Sequence, residues 1–447
     1  MTDTQQKVID LAQALDERSS SIAENEKYLD GKQPLAFLST TARDATKLSR
    51  MASNLPAVQV QAITERLRVT DLRVGGQHSN ELWSDFQAND LDQFLPIAFY
   101  EALGLGSSYA IVWDRTGQAK PRVSVESAHQ VIVERDPGSR EIVSALKRWT
   151  VAGGRTEARL YLPDAVIAYS ADGEGAVQGW REGRVVRNPL GVVPVVEFRN
   201  AKRLLGPGQT EIEDLKPLVD GLNKLLADLM VGSEFYARPR RWATGVEMQT
   251  DEDGNAVNPF PEGDRMMISE AIEAKFGSLP AADLQSYEAG VKVLLGQIMA
   301  VSALPAHYLG ALSGQVPGAD GLRAAEAALS ARAEAKQALF GRPIEAIGRL
   351  MEGIRNDTDP GSFEVKVRWA DPATRSVAQE ADATVKLHQA NLLPADYALA
   401  KLGYDADEIA EIRAARRAEA ADKLVLQPRV NAPVAPAAQA DATVVAE

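Results

Sequence analysis

Residues 210–229 read TEIEDLKPLVDGLNKLLADL, and residues 284–301 read LQSYEAGVKVLLGQIMAV. In the first stretch Ile212, Leu215, Val219, Leu222, Leu226 and Leu229 are spaced 3, 4, 3, 4, 3. In the second, Leu284, Tyr287, Val291, Leu294, Ile298 and Val301 repeat that arithmetic. Such spacing puts every apolar side chain on one stripe of an α-helix. Thr210 followed by Glu213 has the form of a capping box. Pro217, inside the pattern, predicts a kink or a start one turn later. Between the helices, Arg238-Pro239-Arg240-Arg241-Trp242, the turn Asp251-Glu252-Asp253-Gly254 and Arg265-Met266-Met267-Ile268 predict a small β module. Two long amphipathic helices therefore bracket a compact β insertion.

On the amino-terminal side, residues 1–25 read as a polar helix, and a second helix starts near Asn54-Leu55-Pro56, where proline suits a first turn. A third is expected from Asn89 to Leu103. Strands are expected at Ser108–Trp113, Val123–Glu126, Val131–Glu134, Ile142–Trp149, Arg159–Leu162 and Val192–Phe198, rich in Val, Ile and aromatics and separated by turn clusters. This α+β unit ends near Gly206-Pro207-Gly208. On the carboxyl side, a loop of small and polar residues, Gly310–Gly318, precedes a long Ala-rich helix that Asp320 should cap and Pro343 should bend. A strand at Phe363–Trp369 and three short helices follow. After Leu424 the Ala/Pro/Val-rich tail has too little to bury and is expected to be flexible alone.

The chain has 447 residues and a formal charge of −13, with no cysteine and only four histidines (His78, His129, His307, His388), far apart in sequence. Disulfides, thiol catalysis and thiolate zinc sites are excluded, and no cofactor or metal is expected. No apolar run approaches the ~18 residues that span a bilayer, and a soluble, cytoplasmically made protein is expected. Net acidity argues against tight duplex binding, which needs clustered Lys and Arg. No Walker lysine motif, Gly-x-Ser-x-Gly elbow or His-Glu-x-x-His helix occurs, and Gly104-Leu105-Gly106 lacks the third glycine of a dinucleotide fingerprint. Asp251–Gly254 lacks the alternating ligands of a calcium loop, and His307 beside Tyr308 reads as a packed loop residue.

Five blocks in order carry a resemblance: Tyr28–Leu35 (YLDGKQPL), Ser107–Trp113 (SSYAIVW), Asn188–Pro194 (NPLGVVP), Ser233–Gly245 (SEFYARPRRWATG) and Leu304–Gly310 (LPAHYLG). Together they resemble the portal proteins of tailed double-stranded DNA bacteriophages, in particular the branch found in long-tailed phages of actinobacteria. The resemblance covers roughly residues 25–355; the last ~90 residues match by position alone. It implies an α+β portal fold, with a wing over residues 1–208, stem helices at 209–236 and 281–302, and a β clip at 237–280. It further implies a tunnel loop and long kinked wing helix within 303–370, a helical crown at 371–423 and a tail at 424–447. It implies no enzymatic activity, but a homo-oligomeric ring, usually of twelve copies, at one vertex of the capsid. The implied partners are double-stranded DNA in transit, the terminase large subunit, a head–tail adaptor, and the major capsid and scaffolding proteins. The implied location is the virion, and the host cytoplasm during assembly.

The residues suit that role, with plainer readings beside it. The two stripes can bury on each other within one chain, or find complete burial only when neighbouring copies close into a barrel. The remaining polar faces, with Asp220, Asn223, Lys224 and Asp228 on one helix and Gln285, Glu288 and Lys292 on the other, would then look inward. Asp220 with Lys224, and Glu288 with Lys292, also read as ordinary i,i+4 pairs on a solvated helix. Twelve copies would total roughly −156, a field that disfavours static phosphate contacts. The segment 311–319, with Ser313, Gly314 and Gln315, is a channel-lining loop or a plain helix connector. Arg238, Arg240, Arg241 and Trp242 form the densest basic and aromatic patch; they either dock a motor or adaptor, or pair with the acidic 251–253 turn of an adjacent copy. The competing functions are a ring-forming or scaffolding protein without a DNA channel, and an unrecognised hydrolase using carboxylates with shifted pKa.

Overall fold

The computed structural model describes residues 2–36, 52–114, 119–237, 241–246, 249–250, 255–257, 269, 271–278, 284–310, 319–373, 377–404 and 406–425. The chain is a mixed α+β structure in two compact units, residues 1–373 and 374–447.

Helix α1 (Asp3–Leu29) opens with a capping box between Thr2 and Gln5 and lays Val8, Leu11, Ala12 and Leu15 against a five-stranded antiparallel sheet. That sheet is a meander of β5 (Val131–Arg135), β6 (Ile142–Val151), β7 (Arg155–Tyr161), β8 (Ala165–Asp172) and β9 (Arg181–Arg187), in that order. The sequence reading missed β8 and β9. Along β9 six of the seven residues are exposed and the other is half-buried, so this edge strand lacks the alternation that marks a half-buried strand.

The main core is built around two three-stranded sheets. One has the order β10-β3-β4, with β3 (Ser107–Asp114) between β4 (Pro121–Ser127) and β10 (Val195–Arg199). The other runs β15-β1-β2, in which β1 (Val69–Val74) pairs with β2 (Gln77–His78) and with the distant β15 (Val365–Trp369). Three helices pack beside them: α2 (Leu55–Thr64), α3 (Asn80–Ala88) and α4 (Leu91–Leu105). The single helix expected from Asn89 is thus two, because Ser79 caps an earlier one and Asp90, at φ 52°, breaks the run. Phe99 of α4, Phe198 of β10, Trp369 of β15 and Phe340 of the long α7 (Ala319–Asn356) meet in one aromatic cluster, with centroids 5.4–6.1 Å apart. At the end of this unit the backbone of Gly208 crosses Gly106 so closely that an added Cβ would fall 1.9 Å from the Gly106 carbonyl oxygen. Only glycine fits there.

The two amphipathic stretches are α5 (Lys216–Ala237) and α6 (Leu284–Ser302). The later start allowed for by Pro217 is the one seen, and the Thr210/Glu213 box does not form. Thr210 instead donates to Leu103 O at 3.4 Å and accepts from Ile212 N at 3.2 Å. Asp320 likewise lies inside the first turn of α7 rather than capping it, and the helix continues through Pro343. Between α5 and α6, β11 (Arg241–Thr244) pairs with β14 (Lys275–Ser278), and β12 (Gln249–Thr250) with β13 (Ala256–Val257). The expected strand at Arg265–Ile268 lies outside the described residues.

The second unit holds α8 (Val377–Gln389), α9 (Ala395–Lys401) and α10 (Ala406–Val425). Among its described side chains only Thr384 and Ala398 are buried.

Candidate functional site

The helix pair is the centre of the candidate site. An added Cβ at Gly221 would meet Leu294 at 3.6 Å, and one at Gly290 would meet Leu225 at 3.1 Å. Rising numbers on one helix oppose falling numbers on the other, so the pair is antiparallel, with glycines giving leucines room to settle. Leu215, Val219, Leu222 and Ile298 form a buried cluster flanked by Leu226, Val291, Leu294 and Val301. The stripes therefore cover each other within one chain through this cluster, as the plainer reading held. Off the stripes the cover is missing: Met230 is 47% exposed, and Val293, beside the Leu294 that packs on Gly221, 64%.

On the polar faces, Lys224 pairs with Asp228, and Lys292 Nζ lies 2.6 Å from Glu288 Oε1. Lys292 holds the exposed Glu288 carboxyl below its usual range. The pair expected between Asp220 and Lys224 is not formed. Asp220 instead accepts from Tyr28 Oη at 2.9 Å, and the buried Asn223 accepts from Ser53 N at 2.8 Å. Burial, with Glu24 nearby, raises the Asp220 carboxyl against the opposing Tyr28 hydrogen bond. These two residues tie α5 to α1 and the chain before α2, and correct their place on an inward-facing polar surface. Tyr28 was the signal available, as the first residue of the first quoted block.

Sequence reasoning missed the junction that ties the chain entering α5 to α7 and to the end of β10. Lys336 of α7, with a side chain 11% exposed, donates to Asn200 Oδ1 at 2.6 Å and Glu211 Oε1 at 2.5 Å. Burial pushes Glu211 up, but Lys336, Lys202 and Asn200 overcome it and hold the carboxyl below its usual value. Lys336 follows Leu329 and Ala333 and precedes Phe340, all fully buried, so a lysine at a core position of the stripe was the readable clue. Arg332 donates to the carbonyls of Val301 and Ser302 at 3.0 and 2.9 Å, satisfying the C-terminal end of α6. His307 packs on Tyr308 and lies 3.3 Å from Glu326.

In the β insertion, Trp242 stands opposite Gly277 and is 43% exposed. Arg241 takes part in the same ladder, opposite Ser278. Arg238, Arg240, the 251–254 turn, Ser313, Gly314 and Gln315 lie outside the described residues. Among the described residues no group of three or more His, Asp or Glu is placed to hold a metal, and no helix is long and apolar enough to cross a membrane. The two carboxyls that burial raises, Glu101 and Asp220, each face their own partners: Ser127, His129 and Glu26 for the first, Tyr28, Glu24 and Lys216 for the second.

Residues 10–422 match the family model described as phage portal protein, SPP1 Gp6-like. The portal protein of Mycobacterium phage L5 is 28% identical over 437 residues, covering 92% of this chain and 88% of the relative. That of Mycobacterium phage D29 is 26% identical over 438 residues with the same coverage. Among solved structures, a chain from the neck of an empty gene transfer agent particle superposes with a TM-score of 0.48 at 12% identity, over 87% of this chain and 98% of that one. A chain from the native gene transfer agent virion gives 0.47 at 12% identity, over 86% and 99%.

Proposed function

The chain belongs to the phage portal protein family, SPP1 Gp6-like, whose members are structural proteins rather than enzymes; from that premise we propose that it is the subunit of a ring at one capsid vertex. DNA enters through this ring during packaging and leaves through it at ejection. Residues 1–208 with α7 form the wing, α5 and α6 the stem, 237–280 the clip, 311–319 the tunnel loop, 371–423 the crown, and 424–447 a tail. The observation that carries the reading is the antiparallel helix pair whose apolar residues off the paired stripes, Met230 and Val293, stay uncovered in a lone chain. An exposed apolar side chain gains ~1.5–3 kcal/mol when it is buried, so neighbouring stems side by side supply what the single chain lacks.

In such a barrel Lys224, Asp228, Glu288 and Lys292 line the channel as mutually neutralised pairs, giving a passing duplex no deep cationic well. Ser313, Gly314 and Gln315 reach the duplex from the tunnel loop. Arg238, Arg240, Arg241 and Trp242 form the clip surface that receives the terminase large subunit and later the head–tail adaptor. Major capsid and scaffolding proteins meet the wing during assembly in the host cytoplasm.

Electron microscopy of the purified chain tests the reading. Closed rings, twelvefold by preference, with an open hole of duplex width are expected; a monomer or a particle with a filled centre overturns it. Deleting residues 310–318 should leave rings intact and lower packaged DNA, and unchanged packaging removes the tunnel role.

A further inference from the structure

Two features on opposite edges of the β10-β3-β4 sheet are left open among the described residues, although Arg199 Nη2 at the first donates to the Gly206 carbonyl. At the β10 edge, a cavity of about 410 Å³ opens between β10, the 135–140 turn, the 201–206 loop and α7. Leu204 and Leu205 stand at its rim, 79% and 82% exposed. Glu197 is buried in its wall, accepting from Arg135 Nη2 at 2.8 Å and Ser107 Oγ at 3.0 Å. Arg140 and Arg199 line the cavity without a carboxylate partner among the described residues, and Arg199 Nε is buried with no acceptor. Asp136, the other acid in the lining, is engaged with Gly138 N of its own turn. The lining thus holds three guanidinium groups against two carboxylates.

At the β4 edge, Asn89 donates to Pro121 O at 3.1 Å and accepts from Val123 N at 3.0 Å, fixing the α3–α4 joint on that strand. The first turns of α4 leave Asp92, Phe94 and Ile97 facing solvent, with Phe94 47% and Ile97 54% exposed. Neither Asp92 nor the exposed Asp90 has an ion-pair partner among the described residues. Phe94 and Ile97 are three apart on one helix and so make a single ridge.

We propose that the Phe94–Ile97 ridge of one copy seats in the Leu204–Leu205 cavity of the next, with the carboxylate of Asp90, four residues before Phe94, toward Arg140 and Arg199. The inference rests on the ring reading and names the surfaces that close the ring at the level of the wing. Apolar burial drives the contact, and the opposed charges set which way round it forms. Ridge and cavity are different surfaces on opposite sheet edges, so the contact is head-to-tail, and each copy uses both.

The test uses two full-length variants, Leu204→Asp with Leu205→Asp, and Phe94→Asp with Ile97→Asp. All four side chains are exposed in the lone chain, and circular dichroism with thermal unfolding checks that each variant folds as the wild type does. By mass photometry each variant alone should lose the ring and run as a monomer. Mixed in equal amounts, each retains the surface the other has lost, so a one-to-one dimer should form and nothing larger. Rings of wild-type mass from either variant, or no dimer on mixing, overturn the contact while leaving the ring reading in place. A wild-type chain that stays monomeric overturns both.

Discussion

The paired stripes of α5 and α6 and the faces off those stripes differ in who supplies the cover. On the stripes, Leu215, Val219, Leu222 and Ile298 are buried by their own chain, and Lys336, Glu211 and Asn200 tie the chain entering α5 to α7 and to the end of β10. Off the stripes, on the same two helices, Met230 and Val293 stay open to solvent. The second unit is an extreme of the same kind, with Leu392, Tyr397 and Tyr404 exposed and two described side chains buried. A fold that finishes one face of an element and leaves another unfinished separates what holds the subunit together from what is left for neighbours.

The largest effects should fall on the finished interior. Replacing Lys336 with Met leaves the buried Glu211 with only the Asn200 amide at 2.8 Å and Lys202 at 3.8 Å, at a cost of at most about 3–5 kcal/mol in urea unfolding of dispersed subunits. Phe340→Ala should cost about 3–5 kcal/mol by opening the aromatic cluster of the main core, and Leu222→Ala about 2–5 kcal/mol; a loss well under 1 kcal/mol at Leu222 would mean that the stripes are not closed by their own chain. The Glu211 carboxyl, held below its ordinary value in the fold, contributes stability that is present above the unfolded-state pKa and is lost as pH falls through the folded one. Thermal unfolding followed from neutral pH downward should therefore decline through the acidic carboxylate range, and Lys336→Met should flatten this part of the decline. The smallest effect belongs to the face off the stripes. Val293→Ser should change subunit stability by no more than about 0.5 kcal/mol yet loosen rings in dilution followed by mass photometry. A large loss of subunit stability there would erase the contrast between the two faces.

The helix pair was legible because six apolar residues at alternating steps of three and four match the helical period and cannot share one face of a strand, and Pro217 marked the later start. The hairpin beside the acidic turn was legible from turn chemistry, since β12 and β13 flank residues 251–255. The α3 helix was overlooked although Ser79 is a good cap, because only nine residues follow before Asn89. What sequence could not reveal was the choice of partner. Asp220 has Lys224 four residues on, yet tertiary packing brings Tyr28 from 192 residues away, and the hydroxyl wins because it lies in the half-buried seam. Lys224 then turns to Asp228. Local spacing offers pairs; packing selects among them.

The pairing of β1 with β15, where Val69 faces Trp369, has a consequence for biosynthesis. Some 300 residues separate the two strands, and every element from α3 to α7 is made in the interval. On the ribosome, β1 can find β2 at once, but its other edge must wait until residue 369 has emerged. A nascent chain cut short before that point carries an open strand edge, the kind of surface from which mispairing starts.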